Sequence, residues 1–392
     1  MFVYTEAPDH QRNMDVIFKV VNRELIQLKT LSFCGADVKL MLCADTKALW
    51  AVLGMGSNGT YPCPMCEIHK DLMKVPRAQR SAAKPRTFAG IKRNFEDNMR
   101  MTQCNPRSQA KFLNVASRPL TDCFGNDNDD LINWVAVPFL HITIKVGTVL
   151  WTEYGKLCED IDFVLACNVT DGFLPNCYSS TTDFGAMILR IQQGNRVATK
   201  CNSGPLSSQY EKFLRGINVI PEAYHGVSLT GVRAGYLLKS DDSQFWREQF
   251  YQNENLRPQD KVHFQHRLLA LDRIKTAYKD LLVVGGKSGK AEPQDIKTLI
   301  QSRDIFLEEY RKFGQSSSIK IHMLEDHFVD QIILWGMLSG SFNEQGGESC
   351  HSLFKRHEHL TNHIRNEEER VTKKCEIATR KYLLKLKSRQ KS

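Results

Sequence analysis

The sequence predicts an α/β protein with a large, mostly helical insertion. Two observations support this fold class: strand-like and helix-like patterns alternate over residues 1–54, and apolar side chains recur at helical spacing through most of residues 130–320. The chain has 392 residues, of which 42% are hydrophobic and 25% are charged. It is therefore long enough for two or three domains of ordinary globular composition.

The predicted elements near the start of the chain follow one another closely. MFVYTEA (1–7) alternates as a strand does, and residues 13–31 place apolar side chains on one helical face. A short apolar run, DVKLMLCAD (37–45), then precedes a second helical pattern, TKALWAVLG (46–54). This order is typical of a right-handed crossover onto a shared sheet. Residues 67–110 are polar, basic and rich in turn signals, which indicates a segment that lies outside the packed core.

Two further helices are predicted over 260–283 and 294–313. The loop between them, VVGGKSGKAEP (283–293), invites comparison with a phosphate-binding loop. The comparison fails because Val284 stands where the first glycine is required and Ala291 where Ser or Thr is required. The sequence therefore predicts no nucleotide cofactor.

The sequence predicts a soluble protein that is neither secreted nor embedded in a membrane. Residues 1–25 lack a basic-then-apolar signal pattern, and polar residues interrupt the most apolar stretch, 132–151. Twelve cysteines occur without the spacing of a disulfide framework. Free thiols or metal ligands in a reducing compartment are therefore expected.

The net charge of +9 is concentrated at the C-terminus, where residues 371–392 carry eight Lys or Arg against Glu376 alone. A basic tail of this kind can follow a phosphate backbone. A solvated end that aids solubility explains the charge equally well. Residues 1–370 are close to neutral.

Two short motifs far apart in the chain predict a metal site. In YPCPMC (61–66), Cys63 and Cys66 are spaced so that one turn can direct both sulfurs at one ion, and tetrahedral zinc accepts such a pair together with two imidazoles. In IHMLEDH (321–327), His322 and His327 can supply those imidazoles. Because five residues exceed one α-helical turn, this pairing requires a distortion or a helix end. His69, three residues after Cys66, is a competing local ligand.

Five segments occur in a definite order: LMLCADTKALWAVLG (40–54), YPCPMC (61–66), PFLHITIKVG (138–147), IHMLEDH (321–327) and EQGGESCHSLFKR (344–356). The ordered set resembles the zinc-containing RNase H-like (DDE-type) transposases and recombinases, the group that includes the catalytic subunit of the V(D)J recombinase and its transposon relatives. Residues 150–315 carry no matching motif.

The resemblance implies a fold in three parts. Residues 1–66 would form a partial RNase H-like core that lacks its first strands, and residues 67–320 would form the helical insertion. Residues 321–392 would hold the two histidines, an acidic long helix and the basic tail. A structural Zn²⁺ bound by Cys63, Cys66, His322 and His327 would close the insertion at its base.

The resemblance also implies DNA cleavage and strand transfer by two Mg²⁺ or Mn²⁺ ions held by carboxylates. Asp45 matches the second carboxylate of the family and Glu348 the third, with Asp37 and Glu344 as the nearest substitutes. From the residues alone, Asp45 is better explained as the N-cap of the helix that follows it, and Glu348 as an acid in the first turn of a helix. His141 matches a Leu-His element of the family.

The first carboxylate of the family has no counterpart, because neither Asp9 nor Asp15 lies in a strand pattern. We therefore expect an N-terminally truncated chain that is inactive as it stands, since charge neutralisation by the full carboxylate set is the main catalytic device. Three interpretations remain open: a fragment of a DNA strand-transfer enzyme, a decayed or domesticated zinc-stabilised DNA-binding protein, and a zinc-stabilised interaction protein without a nucleic-acid role. DNA as partner, a homodimer and a nuclear (or cytoplasmic) location are further expectations from the resemblance.

Overall fold

The computed structural model describes residues 40–56, 59–104, 112–121, 128–172, 182–194, 204–221, 229–315 and 317–342, with short pieces at 18, 21–28, 32–33 and 36–37 and single residues 364, 369 and 373. This part of the chain is predominantly helical. Its helices are α1, described at 21–28, then α2 Thr46–Val52, α3 Phe88–Cys104, α4 Phe139–Thr170, α5 Asp183–Gln192, α6 Pro205–Gly216, α7 Gly231–Lys239, α8 Ser243–Trp246, α9 Pro258–Gly285, α10 Pro293–Lys312, α11 Ile319–Met323 and α12 Val329–Trp335.

The predicted α/β class with a partial RNase H-like core is wrong for the described residues. Their only strands are β1 (Ser32–Phe33) and β2 (Ala36–Asp37), which have two residues each and pair antiparallel. The other extended pairings among the described residues are isolated bridges. Within the predicted strand 37–45, Asp37 ends β2, residues 38–39 lie outside the described residues, and residues 40–45 make a single parallel bridge, from Leu42 to Val135. The physical reason is burial: residues 40–45 are half-buried or exposed, whereas a central parallel strand is covered on both faces. The predicted strand 1–7 lies outside the described residues.

The two long helices predicted late in the chain are confirmed as α9 and α10. Both begin with proline at the first helical position, where its fixed φ suits the helix and its missing N–H is not needed. Glu292 and Asp295 add a capping box to α10. The two helices pack together, with the rings of Tyr278 and Phe306 5.0 Å apart.

The glycine-rich loop between α9 and α10 is occupied by main-chain pairing. Ala291 N donates to Gly336 O at 3.0 Å, Leu338 N donates to Gly289 O at 2.9 Å, and Gly340 N donates to Lys287 O at 3.0 Å. These amides and carbonyls bind residues 336–340 of the same chain. The absence of a nucleotide cofactor stays a prediction.

The chain forms two compact units. Unit 1 comprises Met1–Leu140, Asp326–Trp335 and Ser341–Ser392, and unit 2 comprises His141–Glu325 and Gly336–Gly340. The predicted division at residues 66 and 320 stays a prediction. No helix among the described residues is both long and apolar enough to cross a membrane.

The core of unit 1 is organised around a buried amide. Gln331 on α12 accepts a hydrogen bond from Val137 N at 2.8 Å and donates to Ile132 O at 2.9 Å and Val135 O at 2.7 Å. The rings of Phe139 and Phe328 stack nearby with centroids 4.4 Å apart. Together these contacts fix α12 against the turn that precedes α4.

Unit 2 contains buried polar contacts that involve α4, α8 and α9. Tyr154 Oη donates to Asp272 Oδ1 at 2.8 Å, and Lys275 Nζ lies 2.8 Å from Asp242 Oδ1. Lys275 is only 5% exposed, so its charge requires the ion pair with Asp242. Trp246 Nε1 donates to the same carboxylate at 3.3 Å.

Candidate metal centre

The four residues predicted to bind zinc lie together. One potential ligand atom from each of Cys63, Cys66, His322 and His327 lies within 4.8 Å of all the others. Tetrahedral zinc with its usual bond lengths places its ligand atoms about 3.3–3.8 Å apart, and Cys63 Sγ is 3.4 Å from His327 Nε2. The four side chains could hold a metal ion such as zinc. The prediction that these four residues lie close enough together to bind one metal ion is confirmed.

Local geometry directs both cysteine sulfurs to the same point. Met65 N donates to Cys63 Sγ at 3.4 Å, and Trp50 Nε1 donates to Pro62 O at 2.7 Å. The turn is therefore held from within and from α2. Cys63 and Cys66 are 0% and 2% exposed, so their sulfurs are shielded from solvent.

Arg86 anchors the cysteine turn, although it was not among the predicted site residues. Its guanidinium donates to the carbonyl oxygens of Cys63 (2.9 Å), Cys66 (3.1 Å), Tyr61 (3.1 Å) and Leu113 (3.0 Å). The side chain is 1% exposed, which is unusual for arginine. Its position within a basic, exposed loop gave no signal of burial.

The two histidines share one face because the helix that carries them is not regular. His322 lies on α11, and a π-helical turn, Leu324–Phe328, separates α11 from α12 and contains His327. In an α-helix, side chains five apart point in different directions, whereas an i→i+5 turn brings the fifth residue back over the first. The predicted distortion between the histidines is therefore confirmed as a π-turn.

Two arginines tie the loop after the cysteines to this π-turn. Arg80 donates from both terminal nitrogens to the two oxygens of Asp326, at 2.9 and 2.6 Å. Arg77 donates to Asp330 Oδ2 at 2.8 Å and to Asp326 O at 3.3 Å. The bidentate pair of Arg80 and Asp326 fixes direction as well as distance.

A metal ion bound here would have to offset the cost of ionising the buried cysteines. A hydrogen bond with Cys63 and burial raise the pKa of the Cys66 thiol far above its usual range, and the charge of Cys63 raises it further. Two buried thiols therefore do not ionise side by side without a compensating positive charge. A divalent ion supplies that charge, and two sulfurs with two imidazoles suit zinc.

The competing ligand His69 lies outside the cluster. Its Nδ1 accepts a hydrogen bond from Asp71 N at 3.2 Å, and its ring meets Tyr61 edge-on at 5.4 Å. Among the described residues, the group of His, Cys, Asp or Glu side chains close enough to hold an ion contains His322 and His327 instead.

Of the predicted catalytic carboxylates and their substitutes, Asp45 alone has a side chain that the structure describes. Asp45 is the N-cap of α2, and its Oδ1 accepts from Ala48 N at 2.6 Å, as the residues alone indicated. Glu348 and its substitute Glu344 lie outside the described residues, and the side chain of Asp37 is not described. The Mg²⁺ or Mn²⁺ site stays a prediction.

His141, the residue of the Leu-His element, is half-buried in the first turn of α4. No family model matches the sequence, and no curated protein matches it. The resemblance to transposases and recombinases therefore rests on the ordered motifs alone and stays a prediction.

Proposed function

We propose that this chain is a zinc-stabilised DNA-binding protein, in which a structural Zn²⁺ ion holds the Cys63–Cys66 turn against the π-turn of the 319–335 helix. The observation that carries the proposal is the buried set of two sulfurs and two imidazoles. Structural zinc sites have four protein ligands, whereas catalytic sites keep one position open. Four ligands that are at most 9% exposed favour the structural role.

The surface beside the metal centre supports DNA as the partner. The loop from residue 67 to residue 87 contains six Lys or Arg and two acids, Glu67 and Asp71. Three of the six are arginines already engaged by carboxylates or carbonyls, as described above. The other three, Lys70, Lys74 and Lys84, are exposed. Two of them make exposed ion pairs with the acids of the same loop, Lys74 with Asp71 at 3.5 Å and Lys84 with Glu67 at 3.9 Å, and such pairs are weak enough to be exchanged for phosphate contacts. Exposed lysines on a loop fixed by metal are suited to phosphate contacts, and the basic tail 371–392 adds to the positive charge.

Zinc content and stability test the structural role. The purified full chain is expected to hold one zinc ion per molecule, measured by mass spectrometry of metals. Chelation is expected to unfold unit 1, because the binding free energy of a structural ion is folding free energy. A folded sample that holds much less than one zinc ion per molecule refutes the proposal.

DNA affinity as a function of salt tests the partner. Each phosphate contact that is lost should lower the slope of log affinity against log salt by about 0.9. We expect a Lys70, Lys74 and Lys84 triple Ala variant to lose part of this slope while retaining zinc. The matched control is Lys239→Ala at the end of α7, in unit 2. A parent chain that does not bind DNA even at low salt would instead favour a zinc-stabilised interaction protein.

DNA strand transfer is the second candidate, favoured by the order of the five motifs. Asp45→Asn tests it cleanly, because Asn caps helices as well as Asp and the substitution removes only the charge. If Mn²⁺-dependent cleavage of DNA occurs in the parent and is lost in this variant at unchanged stability, the enzyme is supported. Absence of cleavage in the parent leaves the binding function alone.

A further inference from the structure

A cavity of about 310 Å³ adjoins the metal centre within unit 1. Two of the four ligand residues, Cys66 and His327, form part of its wall. The other two, Cys63 and His322, are 0% exposed and do not line it. In the described part of the chain, Cys66 and His327 are therefore the two ligand residues that the cavity reaches.

The cavity has an exposed rim and a buried interior pair. At the rim, Arg77 and Asp330 are 47% and 41% exposed and lie 2.8 Å apart. Deeper, Arg80 and Asp326 are 2% and 10% exposed and lie 2.6 Å apart. Two carboxylates are thus arranged from the surface inward, and the inner one directly precedes His327 in the chain.

We propose that this cavity is the route by which a zinc ion reaches and leaves the four ligands, and that the Arg80–Asp326 pair is its inner barrier. The inference rests on the proposed structural zinc. Carboxylate oxygens are themselves zinc ligands, so Asp330 and then Asp326 can replace the water that an entering cation loses. Asp326 can do so only by releasing Arg80, which makes the ion pair the gate of the route.

Filling the cavity should slow metal exchange without changing affinity. Ala83 lines the cavity and is half-buried, so Ala83→Leu places a larger side chain in the path. The added side chain must move aside before the ion can pass. We expect release to slow by about tenfold, which corresponds to a barrier about 1.4 kcal/mol higher. Because the end states are the same, the equilibrium dissociation constant for zinc should stay unchanged.

The experiment follows the transfer of zinc from the loaded full chain to a chromophoric chelator in excess. Ala78→Leu is the matched control, because Ala78 is exposed on the same loop and does not line the cavity. Arg77→Ala opens the rim and is expected to accelerate release. If Ala83→Leu fails to fold, Ala82→Leu at the exposed edge of the same cavity replaces it.

The outcomes separate this inference from the proposed function. A parent chain without zinc refutes the structural site itself. A parent that holds zinc, with Ala83→Leu and Ala78→Leu both releasing it at the parent rate, overturns only the route. Release that rises with urea in step with the unfolding rate overturns the route as well, since the ion would then leave through unfolding.

Discussion

Replacement of Arg86 should reveal how strongly the cysteine turn depends on one side chain. Arg86→Met keeps the volume of the side chain and removes four hydrogen bonds to the carbonyls of residues 61, 63, 66 and 113. Hydrogen bonds to charged groups contribute about 1.5–3 kcal/mol each to the free energy of unfolding. Leaving the buried carbonyls without donors adds a desolvation cost, which local rearrangement of the chain partly offsets. Because the four carbonyls are neutral and can in part find water or other donors, we expect a net loss of about 3–5 kcal/mol.

A loss of this size is a large share of the about 5–15 kcal/mol that stabilises a typical protein. We would measure urea unfolding of the zinc-loaded protein and zinc affinity by competition with a chelator. Arg77→Met is the control, because Arg77 is 47% exposed and exposed ion pairs contribute little. If Arg86→Met unfolds at the same urea concentration as Arg77→Met and binds zinc equally well, our account of the anchor is wrong.

Three further predictions concern other parts of the chain. Cys63→Ser should lose stoichiometric zinc and most of the stability of unit 1, measured by metal analysis and thermal unfolding, because zinc binding is coupled to folding. Burial raises the pKa of Asp162 from 3.8 to about 6. Because the folded state then binds the proton more tightly than the unfolded state, the free energy of unfolding should fall by at most about 3 kcal/mol as pH rises from 4 to 6. Urea titrations at several pH values measure this dependence, and Asp162→Asn should flatten it. Gly340→Ala should cost about 1–3 kcal/mol, because its Cβ would collide with the carbonyls of residues 286 and 287, whereas Gly155→Ala, with open space around it, should be neutral or stabilising in the same thermal assay.

The metal ligands could be predicted because the chemistry of zinc restricts residue types and spacing, and even the distortion between His322 and His327 followed from counting residues. Arg86 could not be predicted, because charge patterns report how many arginines a loop contains and not which one is buried. The α/β core was predicted wrongly because short apolar runs such as 37–45 have no periodicity that distinguishes a strand from a half-buried connecting segment. Leu42 makes one bridge there, which is too little to define a sheet.

The π-turn has a consequence for which sequence changes this helix can tolerate. A π-turn contains one residue more than the α-helical turn that it replaces, so removing one residue between His322 and His327 would allow a regular α-helix with the two histidines one turn apart. Residues beyond the π-turn would keep their direction, including the Gln331 amide that holds the chain at residues 132, 135 and 137. A deletion between Phe328 and Gln331 would instead rotate that amide by about 100° and change the phase between the metal ligands and the core of unit 1. The number of residues between the π-turn and Gln331 is therefore a strict requirement.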